Sequence, residues 1–435
     1  MTRLQRTLLR YMSSIAIVPA ARVQGQNKDV WSLANEAAAA AEADLGKPVV
    51  NLGQGFFSYS PPSFAIDAAK RALDVPALNQ YSPTRGRPEL LQALSDAYSP
   101  HYGRTLDPKT EITVTTGANE GMLSAFTGFM NPDDEVIVFE PFFDQYVYNI
   151  QLLGGKCVFV PLHPPQTSST HNASEWSIDF DELKRAITPK TKMIVINSPH
   201  NPVGKVFSKE ELLKIGELCI ANNIIILSDE VYDRLYYSEF VRIATLSEDL
   251  WNLTLTVGSA GKQFAATGWR IGWLIGPSHL ITPAAAGHTR ICFCTPSPLQ
   301  NATAVALQEA RHNSYYQDTI DSFQHKYSIL TNVFEKLGLP YTIPGGGYFL
   351  LVDFSRVQRP AEFEIPEELK SRPKDFANFY WLIRELGVVS IPCSEFSTPR
   401  SSALFEKYLR FAVCKDDDIL ESAAKRLEGL AKFIK

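Results

Sequence analysis

The chain has 435 residues, a net charge of −5 and 45 % hydrophobic residues, an ordinary composition for a globular protein with two or three domains' worth of chain. No apolar run approaches the ~20 residues of a membrane-spanning helix, and the mild acidity argues against a nucleic-acid partner. Six cysteines lie scattered at 157, 219, 292, 294, 393 and 414, and the eight histidines form no H-x-x-x-H pair. Without a second pair at matching spacing, the cysteines read as small buried apolar residues in a reducing compartment, and no metal is expected.

The first 28 residues stand apart. They carry Arg3, Arg6, Arg10, Arg22 and Lys28, and the first acidic residue is Asp29. An arginine-rich, serine-bearing, acid-free leader has the composition of a mitochondrial transit peptide; a disordered basic tail is the plainer alternative. Met12 offers an internal start, so mitochondrial and/or cytoplasmic placement is expected.

From about residue 110 to 275, short β-branched runs alternate with helical stretches. The strand candidates are EITVTTG, DEVIVFE, KCVFVPL, TKMIVINSP, NNIIILSDE, LTLTVGSAG and GWRIGWLIG. Several are apolar without alternation, which suits strands buried on both faces. Helices are predicted between them, as at Asn119 to Met130 and Lys209 to Asn223. This is the pattern of an α/β fold with a mainly parallel central sheet flanked by helices. Residues 296–338 read as one long helical stretch ending at Gly338.

After it come the strands GGGYFLLVDF, GVVSIP and YLRFAVCK and a closing helix from Asp416 to Lys435. They predict a smaller α/β domain, 335–435, with which 29–75 packs; residues 76–334 form the large domain.

Ligands of open α/β sheets bind beyond the carboxyl ends of the strands. Polar and aromatic residues gather there: TTGANEG, EPFFDQY, NSPHNPVG, SDEVYD and SAGK each follow a strand. Gly117-Ala118-Asn119 joins a strand to a helix start, where free N–H groups and the helix dipole favour an anion. Ser259 adds a hydroxyl and Arg270 a forked charge. A nucleotide loop does not fit: G-x-x-x-x-G-K-[ST] needs glycine at 256, which is Thr256, and a hydroxyl at 263, which is Gln263. Lys262 sits among small residues with no acidic neighbour, while Asp229 lies at a strand end. A lysine for a Schiff base, an acid for a pyridine nitrogen and a phosphate site together suit pyridoxal 5'-phosphate.

These motifs resemble the class I aminotransferases of the pyridoxal-phosphate fold type I. They are most similar to the kynurenine aminotransferase/cysteine-S-conjugate β-lyase branch, especially its fungal members. NLGQGFFSYSPP, NQYSPTRGRPEL, TTGANEGM, EPFFDQY, NSPHNPVGKVF, SDEVYD, SAGKQFAATGWRIGW and LRFAVCKDD match in order, from about Trp31 to the C-terminus. The resemblance implies that Lys262 binds the cofactor and moves the substrate proton. It implies Asp229 at the pyridine nitrogen, Tyr232 and Asn201 at the ring hydroxyl and Phe143 on the ring face. Ala118, Asn119, Ser259 and Arg270 would hold the phosphate, joined by Tyr81 of the second subunit of a homodimer. Arg410 would bind the substrate carboxylate, with Asn201 and the backbone at Gly53. The implied reaction moves the amino group of L-kynurenine, or another aromatic or thioether amino acid, to a 2-oxo acid; β-lyase chemistry remains an alternative.

Phe56, Phe57, Tyr59, Phe142 and Phe293 are expected to make an aromatic mouth. The chain departs from the branch in GQGFF, where GQGFP is common, in Arg290, and in the insert around 358–375, all of which bear on substrate preference.

Overall fold

The computed structural model describes residues 20–23 and 29–435. Apart from residues 20–23, the expected targeting leader lies outside the described residues.

The seven strands predicted between residues 110 and 275 are present, as are those in GGGYFLLVDF and YLRFAVCK, while GVVSIP, read as one strand, is split at Ser390 into two that join different sheets. In chain order the strands are β1 (Val50–Asn51), β2 (Ile112–Thr115), β3 (Glu135–Glu140), β4 (Lys156–His163), β5 (His171–Asn172), β6 (Ser177–Ile178), β7 (Thr191–Asn197) and β8 (Ile225–Asp229). They continue with β9 (Thr254–Ser259), β10 (Gly272–Ile275), β11 (Tyr341–Ile343), β12 (Phe349–Asp353), β13 (Val388–Val389), β14 (Ile391–Pro392) and β15 (Tyr408–Ala412). The large sheet has the order β2-β10-β9-β8-β7-β3-β4-β6. Six of its strands run one way; β10 and the short edge strand β6 run against them.

The apolar runs work as expected for a doubly covered sheet. Val136 and Val138 of β3 enter one core, with Val195 and Leu227. Ile137 and Phe139, one position on, enter the core on the other face, with Ile194 and Ile226. Side chains alternate between faces with a period of 2, so burial on both sides demands apolar residues throughout. Helices Ala118–Phe129 and Ser278–Cys292 cover one face and pack closely. A Cβ on Gly287 would lie 2.7 Å from the Ser124 carbonyl oxygen, so these helices approach only through glycine.

The predicted helix after Ser208 spans Lys209–Asn222, opened by a Ser208/Glu211 capping box and closed by Asn223 in the left-handed conformation. The stretch 296–338 is not one helix but two, Ser297–Ala310 and Tyr315–Leu337. Polar side chains compete with the helix at the break: Asn313 Oδ1 accepts from the Tyr315 N–H, and Ser314 Oγ donates to Asp318. The second helix ends at Gly338, φ +63°, as expected.

The C-terminal segment supplies four strands of a five-stranded sheet, β14-β15-β12-β11-β5, and β5 joins it from the middle of the chain, pairing His171 with Thr342. β1 pairs with β13, Val50 opposite Val388, which ties the segment before Pro62 to the C-terminal part. Helix Val30–Leu45 packs on helix Lys374–Leu386, while helix Ser63–Leu73 packs on Ser297–Ala310. The closing helix is Asp417–Leu427, tightened into a 3-10 helix over Glu428–Phe433. The expected insert holds a one-turn helix, Glu367–Lys370, tied down by Arg372 to Glu395.

Candidate active site

The carboxyl ends of β2, β3, β7, β8 and β9 share one rim, because these strands run the same way. Gly117, φ +83°, turns the chain from β2 into helix Ala118–Phe129. A Cβ there would stand 2.4 Å from Nη2 of Arg270, so only glycine lets the guanidinium lie against the helix start. Ser259, at the end of β9, is buried and its hydroxyl makes no capping bond. Helix N–H groups, a hydroxyl and a guanidinium form a donor set for a phosphate.

Asp229 ends β8. Its buried carboxylate accepts from the Tyr146 hydroxyl and, at 3.3 Å, from the Val231 N–H. Burial pushes its titration up to about 6, against the pull of the Tyr146 bond and the Lys262 charge. A buried carboxylate in this state is stabilised by a cationic N–H brought against it.

Lys262 lies in the one-turn helix Ala260–Gln263. Its Nζ donates to Tyr348 Oη at 2.6 Å. Burial pulls its titration down to about 8; Arg410 and Arg270 add to that, and Cys414 and Asp229 oppose it. At pH 7 such an amine is about one-tenth neutral, some ~300-fold more than a lysine titrating near 10.5. That neutral fraction is what a nucleophilic lysine needs.

Arg410 sits in the middle of β15, opposite Leu351 and Ile391. It is buried, donating from Nη1 to Asn201 Oδ1 at 3.0 Å and from Nη2 to the Gly53 carbonyl at 2.9 Å. The rings of Phe349 and Phe396 lie 4.1 and 4.6 Å from its guanidinium carbon. Its Nε has no partner among the described residues, an orphaned buried donor suited to a carboxylate.

These groups surround one cavity of about 250 Å³. Lys262, Asp229, Tyr232 and Phe143 line it, as do Ala118, Asn119, Ser259 and Arg270 at one end and Asn201 and Arg410 at the other. Gly53 reaches it through Arg410. Tyr81 does not enter this chain's cavity: it is 84 % exposed, edge-on to the ring of Phe293. Arg290 is exposed and outside the lining. Larger recesses exist among the described residues, and the one of about 560 Å³ around residues 354–407 has lysines and an acid but no buried arginine.

The expected aromatic mouth is corrected. Phe142 is a core residue, Phe56 and Phe293 are exposed, and Phe57 and Tyr59 line a neighbouring recess of about 310 Å³ that also borders Lys262. The cavity's own aromatic wall is Trp31, Phe349 and Phe396, with Phe143. Their positions depend on the smaller sheet closing over the rim, which no local pattern encodes. Tyr146, Asn197 and Tyr348 were also missed. Tyr146 lies inside EPFFDQY, three residues after Phe143, and Asn197 opens NSPHN, so both motifs held the signal.

The cysteines are all free, but only Cys219, Cys393 and Cys414 are buried as expected; Cys157 and Cys294 are half-buried, and so is Cys292. It belongs to a cluster with Glu120 and His288, where Glu120 accepts from His288 Nδ1 at 2.9 Å and from the Thr116 N–H at 2.7 Å.

The donor set fits pyridoxal phosphate: an amine of lowered basicity, a buried acid, a phosphate cradle and an aromatic face within one cavity. Residues 47–427 match the family Aminotransferase class I and II. The chain is 54 % identical over 414 residues, 94 % of its length and 93 % of the relative's, to a Saccharomyces cerevisiae protein named "Probable kynurenine--oxoglutarate transaminase BNA3". It is 39 % identical, over 88 % of the chain and 91 % of the relative, to kynurenine--oxoglutarate transaminase of Dictyostelium discoideum. The crystal structure of Bna3p from Saccharomyces cerevisiae superposes with a TM-score of 0.94 at 53 % identity, covering 96 % of this chain and all of that one. In sequence, in fold and in the residues that meet at the rim, this chain belongs to the class I and II aminotransferases.

Proposed function

We propose that this aminotransferase moves the amino group of L-kynurenine to a 2-oxo acid such as 2-oxoglutarate. The new 2-oxo acid then closes on its own arylamine with loss of water, giving kynurenic acid. The observation that carries the reading is the single cavity joining Lys262, Asp229 and Arg410 under an aromatic wall. The similarity to kynurenine--oxoglutarate transaminases supports the choice of amino acid.

Class I membership implies pyridoxal phosphate, which when bound supplies an aldehyde for the amino group and a ring that accepts the electrons released at the α-carbon. The chain's own residues do the rest. Arg270, Ser259 and the N–H groups of Ala118 and Asn119 would anchor the phosphate. Asp229, kept in place by Tyr146, would keep the ring nitrogen protonated. Tyr232 and Asn201 would hydrogen-bond the ring hydroxyl. Arg410 would pair with the substrate carboxylate, its guanidinium packed against the rings of Phe349 and Phe396. Lys262 removes the proton from the substrate α-carbon and returns one to the cofactor side.

Tyr81 and Phe293 support a homodimer. Both are large exposed rings outside this chain's cavity, and Tyr81 would complete the phosphate site of the other subunit.

The test is the visible absorbance of the purified protein. The cofactor band bleaches on adding L-kynurenine alone and returns with 2-oxoglutarate. A yellow protein that ignores kynurenine overturns the substrate; a protein that takes up no pyridoxal phosphate overturns the cofactor assignment.

A further inference from the structure

The loop after β1 is held in an unusual way. Four consecutive backbone carbonyls each accept a bond from a side chain of the C-terminal segment. Gly53 takes Arg410 at 2.9 Å, Gln54 takes Lys415 at 3.1 Å, Gly55 takes Tyr348 at 2.8 Å and Phe56 takes Lys415 at 2.6 Å. The loop sits directly on Tyr348: a Cβ on Gly55 would stand 2.8 Å from the Phe349 ring and 3.1 Å from the Tyr348 ring.

Tyr348 is fully buried, and its ring is fixed from several sides. Phe323 stacks on it at 6.0 Å, Phe349 leans against it at 4.7 Å, and Phe57 and Tyr232 meet it edge-on at 5.5 and 5.1 Å. Its hydroxyl donates to Gly55 and accepts from Lys262 Nζ at 2.6 Å. A phenol whose ring cannot turn and whose proton is committed offers its oxygen at one fixed point. The reaction frees Lys262 from the cofactor once substrate is bound, and a flexible four-carbon stem then needs something to hold its amine.

We infer that Tyr348 is the positioning residue for Lys262: its oxygen receives the ε-amine whenever the amine is free, and ties it to the 53–56 loop that also holds Arg410. This rests on the function proposed above. The proton taken from the substrate α-carbon forms a new N–H on Lys262, the bonding pair stays on the substrate side, and Tyr348 accepts a hydrogen bond from the resulting ammonium. Tyr348 keeps its own proton, on Gly55, throughout.

Tyr348→Phe removes one oxygen and leaves the ring packing. Tyr327→Phe is the control: that buried phenol bonds the carbonyls of Gly347 and Phe349, on either side of Tyr348, and does not touch Lys262. The rate of pyridoxal phosphate uptake by full-length protein stripped of cofactor, measured by absorbance at a series of pH values, reports the titration of the free Lys262 amine. Asp229, Cys414, Arg410 and Arg270 bear on that titration alike in all variants. Wild type is expected to titrate near 8. Y348F loses an acceptor for the ammonium, so its midpoint falls by about one unit. In turnover, kcat falls about tenfold, KM for the amino acid stays within about twofold, and the isotope effect with α-deuterated substrate rises. Y327F changes none of these. If Y348F does not fold, 3-fluorotyrosine at 348 keeps the ring and weakens the oxygen as an acceptor, and the midpoint shifts down part of the way. An unshifted midpoint and unchanged kcat in a folded variant, with normal uptake by wild type, overturn the inference alone; no uptake by wild type overturns the underlying reading as well.

Discussion

Behind Lys262 lies a buried ionic cluster that can be broken by one substitution. Arg242 bonds Glu230 and, at 2.7 Å, Asp233; the three side chains are 5 %, 2 % and 1 % exposed. Gln263, the residue after Lys262, donates to Asp233 at 2.9 Å and to the Tyr98 hydroxyl at 2.7 Å. Rings of Phe240, Tyr98 and Tyr102 lie within 5.1 to 5.7 Å of the guanidinium. Arg242→Met keeps the stem and removes the charge. A pair at 2.7 Å carries about 6 kcal/mol of attraction at an effective dielectric of ~20. Much of that offsets desolvation, so the net loss on stranding the two carboxylates is about 3–5 kcal/mol.

The loss should depend on pH, and the two acids behave differently. Burial raises Glu230 to about 7 even beside Arg242, and without it the value rises further. A raised carboxyl costs stability only above its unfolded value, and the extra cost in the variant appears as pH climbs past about 7. Asp233 is held below its ordinary value by Arg242 and Arg234, against its burial. Its contribution is present above the unfolded value and is still intact at pH 5.5. The difference between variant and wild type should therefore shrink by about 1 kcal/mol from pH 8 to pH 5.5 as the Glu230 part disappears. Urea unfolding followed by tryptophan fluorescence at both pH values measures it. Adding Glu230→Gln should recover at least ~1 kcal/mol at pH 8. A loss under ~1 kcal/mol, or an equal loss at both pH values, would refute the view that charge pairing holds the floor of the site.

Two further outcomes are expected. Arg410→Lys keeps the charge but gives up the fork, so KM for the amino acid should rise about 10- to 100-fold with a smaller change in kcat; an unchanged KM in steady-state kinetics would remove Arg410 from carboxylate binding. Deleting residues 1–11 should move the protein from mitochondria to the cytosol in fractionated cells, and unchanged import would refute the leader's assigned role.

The SDEVYD segment marks the boundary between what can be read locally and what cannot. Its place after an apolar run put Asp229 at a strand end, and Asp229 is at the rim. Glu230 and Asp233, in the same six residues, turn behind the sheet to meet Arg242. Nothing in their spacing separates them from the residue in front. The difference is the turn after β8 and the partner on another loop.

Local chemistry was enough for the strands of the large sheet, for the helix from Lys209, for Gly117 at its turn and for the polar strand ends that meet at one rim. Each depends on neighbours a few residues apart: strand runs buried on both faces, a side chain reaching its own backbone, a glycine with positive φ. The distant pairings needed the folded chain. Arg410 meets Gly53 across 357 positions, and Tyr348 meets Lys262 across 86. Phe349, Phe396 and Trp31 become the cavity's wall, in place of the expected mouth, only when the smaller sheet closes over the strand ends. A backbone carbonyl or an aromatic face carries no sign in the sequence of which side chain will come to it, because that choice is made by packing between elements and not by spacing along one.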